Sequence, residues 1–399
     1  MLIEPIIKGV VAKSAHPLGC QEAVKQQIKF VKSAPQIKDG PKRVLIIGAS
    51  TGFGLAARIA LTFGGAKADT IGVSFERGPN EKSLASAGWY NNIYFRKEAE
   101  REQRTAINIV GDAFSQETRS QVVEAIETYF EGEVDLIIYS LAAGVRPKPN
   151  TEEFWRSAIK PIGESVTGAT ISLEHDNWVT NTLDAATEEE AESTLKVMGG
   201  EDWEQWIDEL INAESIASGC KTIAFSYVGP EVTHPIYLDG TLGRAKIDLH
   251  QTSHALNLEL ANFGGNAYAT VGKALVTKAS VFIRGLSPYL LALYRVMKEK
   301  ETHEGCIQQM QRLFSSKLYG QTNVPLDGER LIRMDEWELD PETQAHVTEL
   351  LGSMDENNFQ SIGDYQGFKE EFLQLNGFAQ PSVDYKEKLN TDDFIKLKP

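Results

Sequence analysis

Cysteine is scarce: Cys20, Cys220 and Cys306 are the only three in 399 residues, far apart and without a Cys-x2-Cys pair or zinc-ligand spacing. That excludes a disulfide framework and points to a reducing, cytoplasmic setting. Basic charge is also in short supply. Forty lysines and arginines face 56 aspartates and glutamates, a formal net charge of −16, so nucleic acid or an anionic membrane would be repelled rather than bound. Only a local basic patch could dock an acidic carrier. Long apolar runs are missing too. The most apolar stretch, 281–297, is interrupted by Arg284, Gly285, Pro288 and Arg295, which makes it too short and too charged to span a bilayer and predicts a core or pocket-lining helix. Residues 1–5 lack a basic region followed by a long apolar one, which predicts no secretory signal. With 42% hydrophobic and 24% charged residues, the composition is that of a globular protein able to bury a large core.

What is present sharpens at residue 43. Arg43-Val44-Leu45-Ile46-Ile47 has the pattern of a buried strand. It runs directly into Gly48-Ala49-Ser50-Thr51-Gly52-Phe53-Gly54 and a predicted helix over 55–63. Strand, glycine turn and helix in that order form a dinucleotide-binding arrangement, because glycines let the backbone approach pyrophosphate at a helix N-terminus. The spacing Gly-x3-Gly-x-Gly is the short-chain dehydrogenase/reductase variant. A second strand, Thr70-Ile71-Gly72-Val73-Ser74-Phe75, ends on Glu76, whose carboxylate can accept ribose hydroxyls and repels a 2′-phosphate. This favours NADH, although Arg77 next door could welcome the phosphate. Strands at 106–110 and 134–140 follow, the first leading to Asp112 and Ala113, the second to Ser140, Leu141, Ala142, Ala143 and Gly144. Alternation of such strands with helical stretches predicts an α/β fold, a Rossmann-like doubly wound parallel sheet.

From Glu174 to Glu214 thirteen acidic residues face one lysine, interleaved with Trp178, Trp203 and Trp206. This reads as a solvated helical face with a tryptophan-bearing inner side. Thr222-Ile223-Ala224-Phe225 is another buried strand, broken by Gly229-Pro230, which puts Tyr227 at the strand end where open α/β sheets bind ligands. Tyr237 and Lys246 lie nine residues apart. In one unbroken helix, nine steps of about 100° would place them on opposite faces. Pro235, Gly240 and Gly243 argue instead for Tyr237 on a loop and Lys246 in the first turns of a helix, both facing one pocket. A phenol needs a nearby ammonium to act as an acid-base group near neutral pH, and Lys246 is the expected source of that charge. The alternative is a half-buried core tyrosine and a solvated lysine. Past a further strand at 265–271, Leu275, Val276 and Thr277 form a segment able to cover a nicotinamide and its pyrophosphate, with Thr277 open to the reading of an ordinary loop threonine.

Taken together, the glycine turn, Ser74-Phe75-Glu76, Tyr139-Ser140-Leu141-Ala142, residues 197–203, Tyr227 with Tyr237-x8-Lys246, and Lys273-Ala274-Leu275-Val276-Thr277 resemble the FabV-type trans-2-enoyl reductases. The likeness runs over essentially the whole chain. The resemblance implies NADH-dependent reduction of enoyl thioesters of acyl carrier protein or coenzyme A, the last step of the fatty acid elongation cycle. It implies Tyr237 as proton donor, Lys246 on the nicotinamide ribose and Tyr227 on the acyl substrate. It further implies an NADH site lined by Gly48, Ala49, Ser50, Thr51, Gly52, Phe53, Phe75, Glu76, Asp112, Ala113, Ser140, Leu141, Leu275, Val276 and Thr277. Ile247 departs from the second lysine expected there, and 143–147 is less basic than the family form. The expected layout is an N-terminal extension (1–42) packed on the main sheet, a cofactor-binding and catalytic core (43–325), and a polar helical tail of the same domain (326–399) with no catalytic motif. The chain is expected to be a cytoplasmic monomer. Two other readings stay open: a short-chain ketoreductase or epimerase pairing Ser226 with Tyr237, and a non-catalytic NADH-binding protein.

Overall fold

Residues 1–80 and 83–399 are described by the structure, a computed structural model. Seven strands, β1 (Arg43–Ile47), β2 (Asp69–Ser74), β3 (Ala106–Val110), β4 (Val134–Tyr139), β5 (Ile216–Ser226), β6 (Asn266–Val271) and β7 (Leu331–Arg333), form one sheet in the order β3-β2-β1-β4-β5-β6-β7. Every pairing in it is parallel. The order reverses between β1 and β4, which creates the crevice where doubly wound sheets bind ligands.

The sheet is buried on both faces, and β1 shows why its residues read as a continuous apolar run. Val44, Leu45, Ile46 and Ile47 are all fully buried. Side chains alternate across a strand, so Val44 and Ile46 join one core while Leu45 and Ile47 join the other. The first core is closed by α1 (Pro17–Ser33), α2 (Gly52–Phe63) and α3 (Ala87–Arg101); the second by α4 (Gln116–Tyr129), with α5 (Glu188–Met198) outside it, α6 (Glu201–Asn212) and α7 (Thr241–Leu260). A third apolar cluster joins α8 (Leu286–Glu299) to the C-terminal helices through Leu291, Leu293, Val347 and Phe372.

The N-terminal extension packs on the core through α1, which lies against α2 and α3; its helix starts on Pro17 and is capped by His16, whose Nδ1 accepts the Gly19 N–H. Three sequence expectations change here. The acidic stretch is not one helical face. Trp178 lies on an antiparallel hairpin, Val166–Ser172 against Asn177–Leu183, while Trp203 and Trp206 are the fully buried side of α6. The tail is not only helical either, because β7 adds the sheet's last strand beside β6. The helix after the glycine turn begins at Gly52 rather than at 55. No helix among the described residues is long and apolar enough to cross a membrane.

Candidate active site

The glycine turn is shaped by close approach. Gly48 has φ +90°, and both its N–H and that of Ala49 donate to the Val73 carbonyl at 2.9 Å. A Cβ on Gly48 would stand 2.4 Å from the Ser140 carbonyl oxygen, and one on Gly54 would stand 1.9 Å from the Gly48 oxygen, so only glycine fits at either position. Ser140 in turn donates its N–H to Ile47 at 2.8 Å, holding the ends of β1 and β4 together. Above the turn the space is open: nothing lies within 4 Å of a Cβ built on Gly52, and Thr51 caps α2 without a side-chain hydrogen bond. The first N–H groups of α2 are left to face an anion.

Glu76 is drawn into this turn. Ser50 Oγ donates to its Oε1 at 2.6 Å and Ser86 Oγ donates to its Oε2. Arg77 points elsewhere, donating to Ser83 at 2.7 Å, so the neighbouring cation does not neutralise the carboxylate. Phe75 is 82% exposed beside it, a bare ring at the end of β2. Asp112 Oδ1 accepts the Phe114 N–H at 3.0 Å, with Ala113 buried between. Across the crevice, Phe53 stacks on Phe225 with centroids 5.3 Å apart and comes within 3.1 Å of a Cβ built on Gly272. Turn, β5 and the 272–277 loop therefore converge. In that loop Leu275 and Val276 are buried, while Thr277 Oγ1 accepts the Ser280 N–H at 3.0 Å and keeps its own proton to give. Leu141 is half-buried against the second core.

On the other side of the crevice stand Lys246, Tyr227 and Tyr237. Lys246, in the second turn of α7, donates to the Phe225 carbonyl at 3.2 Å, which carries its ammonium to the end of β5. Burial lowers its pKa to about 8, and no carboxylate partners it among the described residues. Tyr237 lies on the loop before α7, its N–H given to Thr233 and its carbonyl taking the Gly240 and Gly243 N–H groups. Its ring is 4% exposed and its hydroxyl has no hydrogen-bond partner among the described residues. Burial pushes this phenol upward. The expected lowering by Lys246 is absent, so Tyr237 is a neutral donor at physiological pH. Tyr227 meets Tyr237 edge to face, with centroids 4.8 Å apart. Beside Tyr237 opens a cavity of about 140 Å³ lined by Ala169, Trp178, Ile236, Ile283 and Leu286, between the hairpin and α8.

A family model described as the trans-2-enoyl-CoA reductase catalytic region matches residues 83–319, and one for the NAD(P)H binding domain of trans-2-enoyl-CoA reductase matches residues 2–81. The chain belongs to the trans-2-enoyl-CoA reductase family. It is 74% identical to an enoyl-acyl-carrier-protein reductase (NADH) 2 of Vibrio parahaemolyticus and 46% identical to a trans-2-enoyl-CoA reductase (NADH) of Clostridium beijerinckii, each over the full length of both chains. Its fold matches the crystal structure of Clostridium acetobutulicum trans-2-enoyl-CoA reductase in complex with NADH at a TM-score of 0.97 and 42% identity, covering all of both chains.

A third match within this family, residues 326–389, is to a model described as an enoyl reductase FAD binding domain. The residues there do not fit a flavin dinucleotide. No glycine turn follows β7, and the helices Pro341–Ser353 and Tyr365–Gln374 begin on Asp340 and Asp364, whose carboxylates already accept N–H groups of Thr343 and Gly367 where a pyrophosphate would sit. What this segment does bring to the site is Glu338, which sequence reasoning passed over. Tyr227 donates its hydroxyl proton to Glu338 Oε1 at 2.8 Å. The available signal was that, of the four acidic residues in 335–340, Glu338 is the one set between two large apolar residues, Trp337 and Leu339. The hairpin wall of the cavity was missed as well, because its strands, Val166–Ser172 and Asn177–Leu183, hold few large apolar residues to mark them.

Proposed function

We propose that this chain catalyses NADH-dependent reduction of the trans-2 double bond of enoyl thioesters, carried by acyl carrier protein or coenzyme A, to give acyl thioesters as the last step of fatty acid elongation. The observation that carries this reading is the Tyr237 hydroxyl, unpartnered among the described residues, beside an apolar cavity and in ring contact with Tyr227, with the Lys246 ammonium on the Phe225 carbonyl at the end of β5. Residues of the crevice fit the cofactor: Gly48 and Gly54 leave room no side chain could share, α2 offers uncapped N–H groups, and Lys246 has no carboxylate partner among the described residues. When bound, the reduced nicotinamide supplies a hydride to the substrate β-carbon.

Tyr237 does the rest of the electronic work. Negative charge grows on the thioester oxygen as the double bond is reduced, and a hydroxyl aimed there stabilises the transition state by roughly 3 to 4 kcal/mol. Since burial keeps the phenol protonated, Tyr237 both donates that hydrogen bond and serves as proton donor. Lys246 holds the nicotinamide ribose and adds positive potential. Tyr227 forms the wall against the enoyl group, and the apolar cavity takes the acyl chain. Glu76 accepts the adenosine ribose hydroxyls and disfavours NADPH. The ketoreductase reading needs Ser226 beside the substrate, but Ser226 Oγ is 2.7 Å from His250 Nε2 and engaged there.

We place the enzyme in the cytoplasm, as a monomer that receives its substrate from an acyl carrier protein. The test is NADH absorbance with crotonyl thioesters of coenzyme A and of acyl carrier protein, with a β-ketoacyl thioester as control. Enoyl reduction without ketone reduction is expected. The reverse pattern would replace this reading by the ketoreductase.

A further inference from the structure

A fully buried carboxylate stands directly behind the substrate tyrosine and belongs to the C-terminal segment. Glu338 is 0% exposed. Its Oε1 accepts two phenols, Tyr227 at 2.8 Å and Tyr289 at 2.6 Å, and its Oε2 accepts the Ala274 N–H at 2.7 Å. Gln344 holds the group from behind, donating to the Glu338 carbonyl at 2.6 Å and to the Tyr289 oxygen at 3.1 Å. One side chain thereby joins the end of β5, the loop that leads to Leu275–Thr277, α8 and the tail.

We infer that Glu338 is a positioning residue for the reaction: it fixes the ring of Tyr227 against the substrate and registers it with the cofactor-covering loop through Ala274. The inference rests on the enoyl-reductase reading of the site. An ionised carboxylate only accepts hydrogen bonds, so the phenols facing it must donate. Tyr227 has one proton and spends it on Glu338. Tyr237, whose hydroxyl is unpartnered, is then the one member of the tyrosine pair with a proton free for the thioester oxygen. Tyr227 contributes its ring, and the place of that ring is set by Glu338. Burial raises the Glu338 pKa from its ordinary value, but the groups placed on the carboxylate all point a proton at it, the Tyr289 hydroxyl and the Ala274 N–H beside that of Tyr227. These, together with the nearby Lys273 ammonium, which donates to the Ala274 carbonyl at 3.1 Å, oppose the rise. A neutral residue of the same volume could fill this space, but it would not dictate which way the Tyr227 proton points.

The experiment is a double-mutant cycle on the full chain with Glu338→Gln and Tyr227→Phe, read by KM for crotonyl-CoA, by kcat, by NADH affinity from calorimetry and by thermal midpoints of the cofactor-free proteins. If Glu338 acts through Tyr227, each single variant raises KM about 10-fold with kcat within about threefold, and the double variant is no worse than either single one. The midpoints should be sub-additive in the same way. Multiplying KM effects, or a Glu338→Gln loss confined to NADH affinity, would overturn the inference, and so would a wild-type KM in Glu338→Gln. Should Glu338→Gln not fold, Glu338→Asp, which keeps the charge and shortens the reach by one methylene, carries the same cycle. Wild-type protein inactive on crotonyl-CoA would instead refute the enoyl-reductase reading, while the cofactor-free midpoints would still test the coupling of residues 338 and 227.

Discussion

Tyr227 and Tyr237 meet ring edge to ring face, with centroids 4.8 Å apart and planes at 87°, yet their hydroxyls have opposite circumstances. That of Tyr227 is bound to Glu338, and that of Tyr237 is unpartnered among the described residues. The two residues should therefore fail differently. Tyr237→Phe removes an interaction that strengthens as charge reaches the thioester oxygen, so kcat should fall roughly 100-fold or more with NADH affinity unchanged. Tyr227→Phe should act mainly on KM for the enoyl substrate. Steady-state kinetics on crotonyl-CoA separates them, and a fully active Tyr237→Phe would move the proton donor elsewhere.

Glu76 should set cofactor choice. Its two oxygens take serine hydroxyls from Ser50 and Ser86, and each oxygen keeps a lone pair for a ribose hydroxyl. A 2′-phosphate brought to the same place meets like charge. Glu76→Ala should narrow the gap between NADH and NADPH, chiefly by improving kcat/KM for NADPH. An unchanged ratio would remove Glu76 from the adenosine end.

The glycine turn offers a paired comparison. Alanine at Gly52 meets open space and incurs only the left-handed backbone strain, about 1 to 2 kcal/mol. Alanine at Gly48, where φ is +90°, is strained as well and also collides with the Ser140 carbonyl, so it should cost more and pry β1 from β4. Urea unfolding of both variants without cofactor measures the difference; equal losses would show that the turn has more slack than its contacts indicate.

Much of this architecture was legible because local chemistry and global fold agree. Val44 to Ile47 must be buried on both faces, and Gly48 cannot be anything larger where two strand ends converge, so strand, turn and helix announce themselves together. The placing of Tyr237 on a loop and Lys246 early in a helix was legible through Pro235 just before the tyrosine and Gly240 and Gly243 between the two residues. Glu338 was not. It acts 111 residues from Tyr227, and nothing in the acidic run 335–340 records which carboxylate has a partner so distant. The cavity wall was hidden for another reason: an antiparallel hairpin with one solvated face usually alternates apolar and polar residues, but Val166–Ser172 and Asn177–Leu183 do not, Trp178 and Val179 being adjacent, and the run of acidic residues that follows masked the segment as helix.

The last prediction concerns pH and Lys246. Its ammonium is held in a buried place with, among the described residues, only the Phe225 carbonyl as partner, and desolvation lowers its pKa to about 8. A base with a lowered pKa is charged below that value and neutral above it. If the charge holds the nicotinamide ribose, kcat/KM for NADH in the free enzyme should be flat below about pH 8 and fall with a slope approaching tenfold per unit above it. The fall in kcat should come at higher pH, because bound pyrophosphate favours the ammonium. Stability should move the opposite way. Between about 8 and the ordinary lysine value the unfolded chain binds the proton that the folded chain has lost, so this group makes folding more favourable as pH rises through that window. Lys246→Met removes the buried charge altogether; it should abolish NADH binding and turnover while the fold survives with a thermal midpoint at or above wild type near neutral pH. Calorimetry and melting curves across pH 6 to about 10 check both signs. Normal NADH affinity in Lys246→Met would take the lysine out of the cofactor site, and a lowered midpoint at neutral pH would mean that its hydrogen bond to Phe225 outweighs the desolvation it suffers.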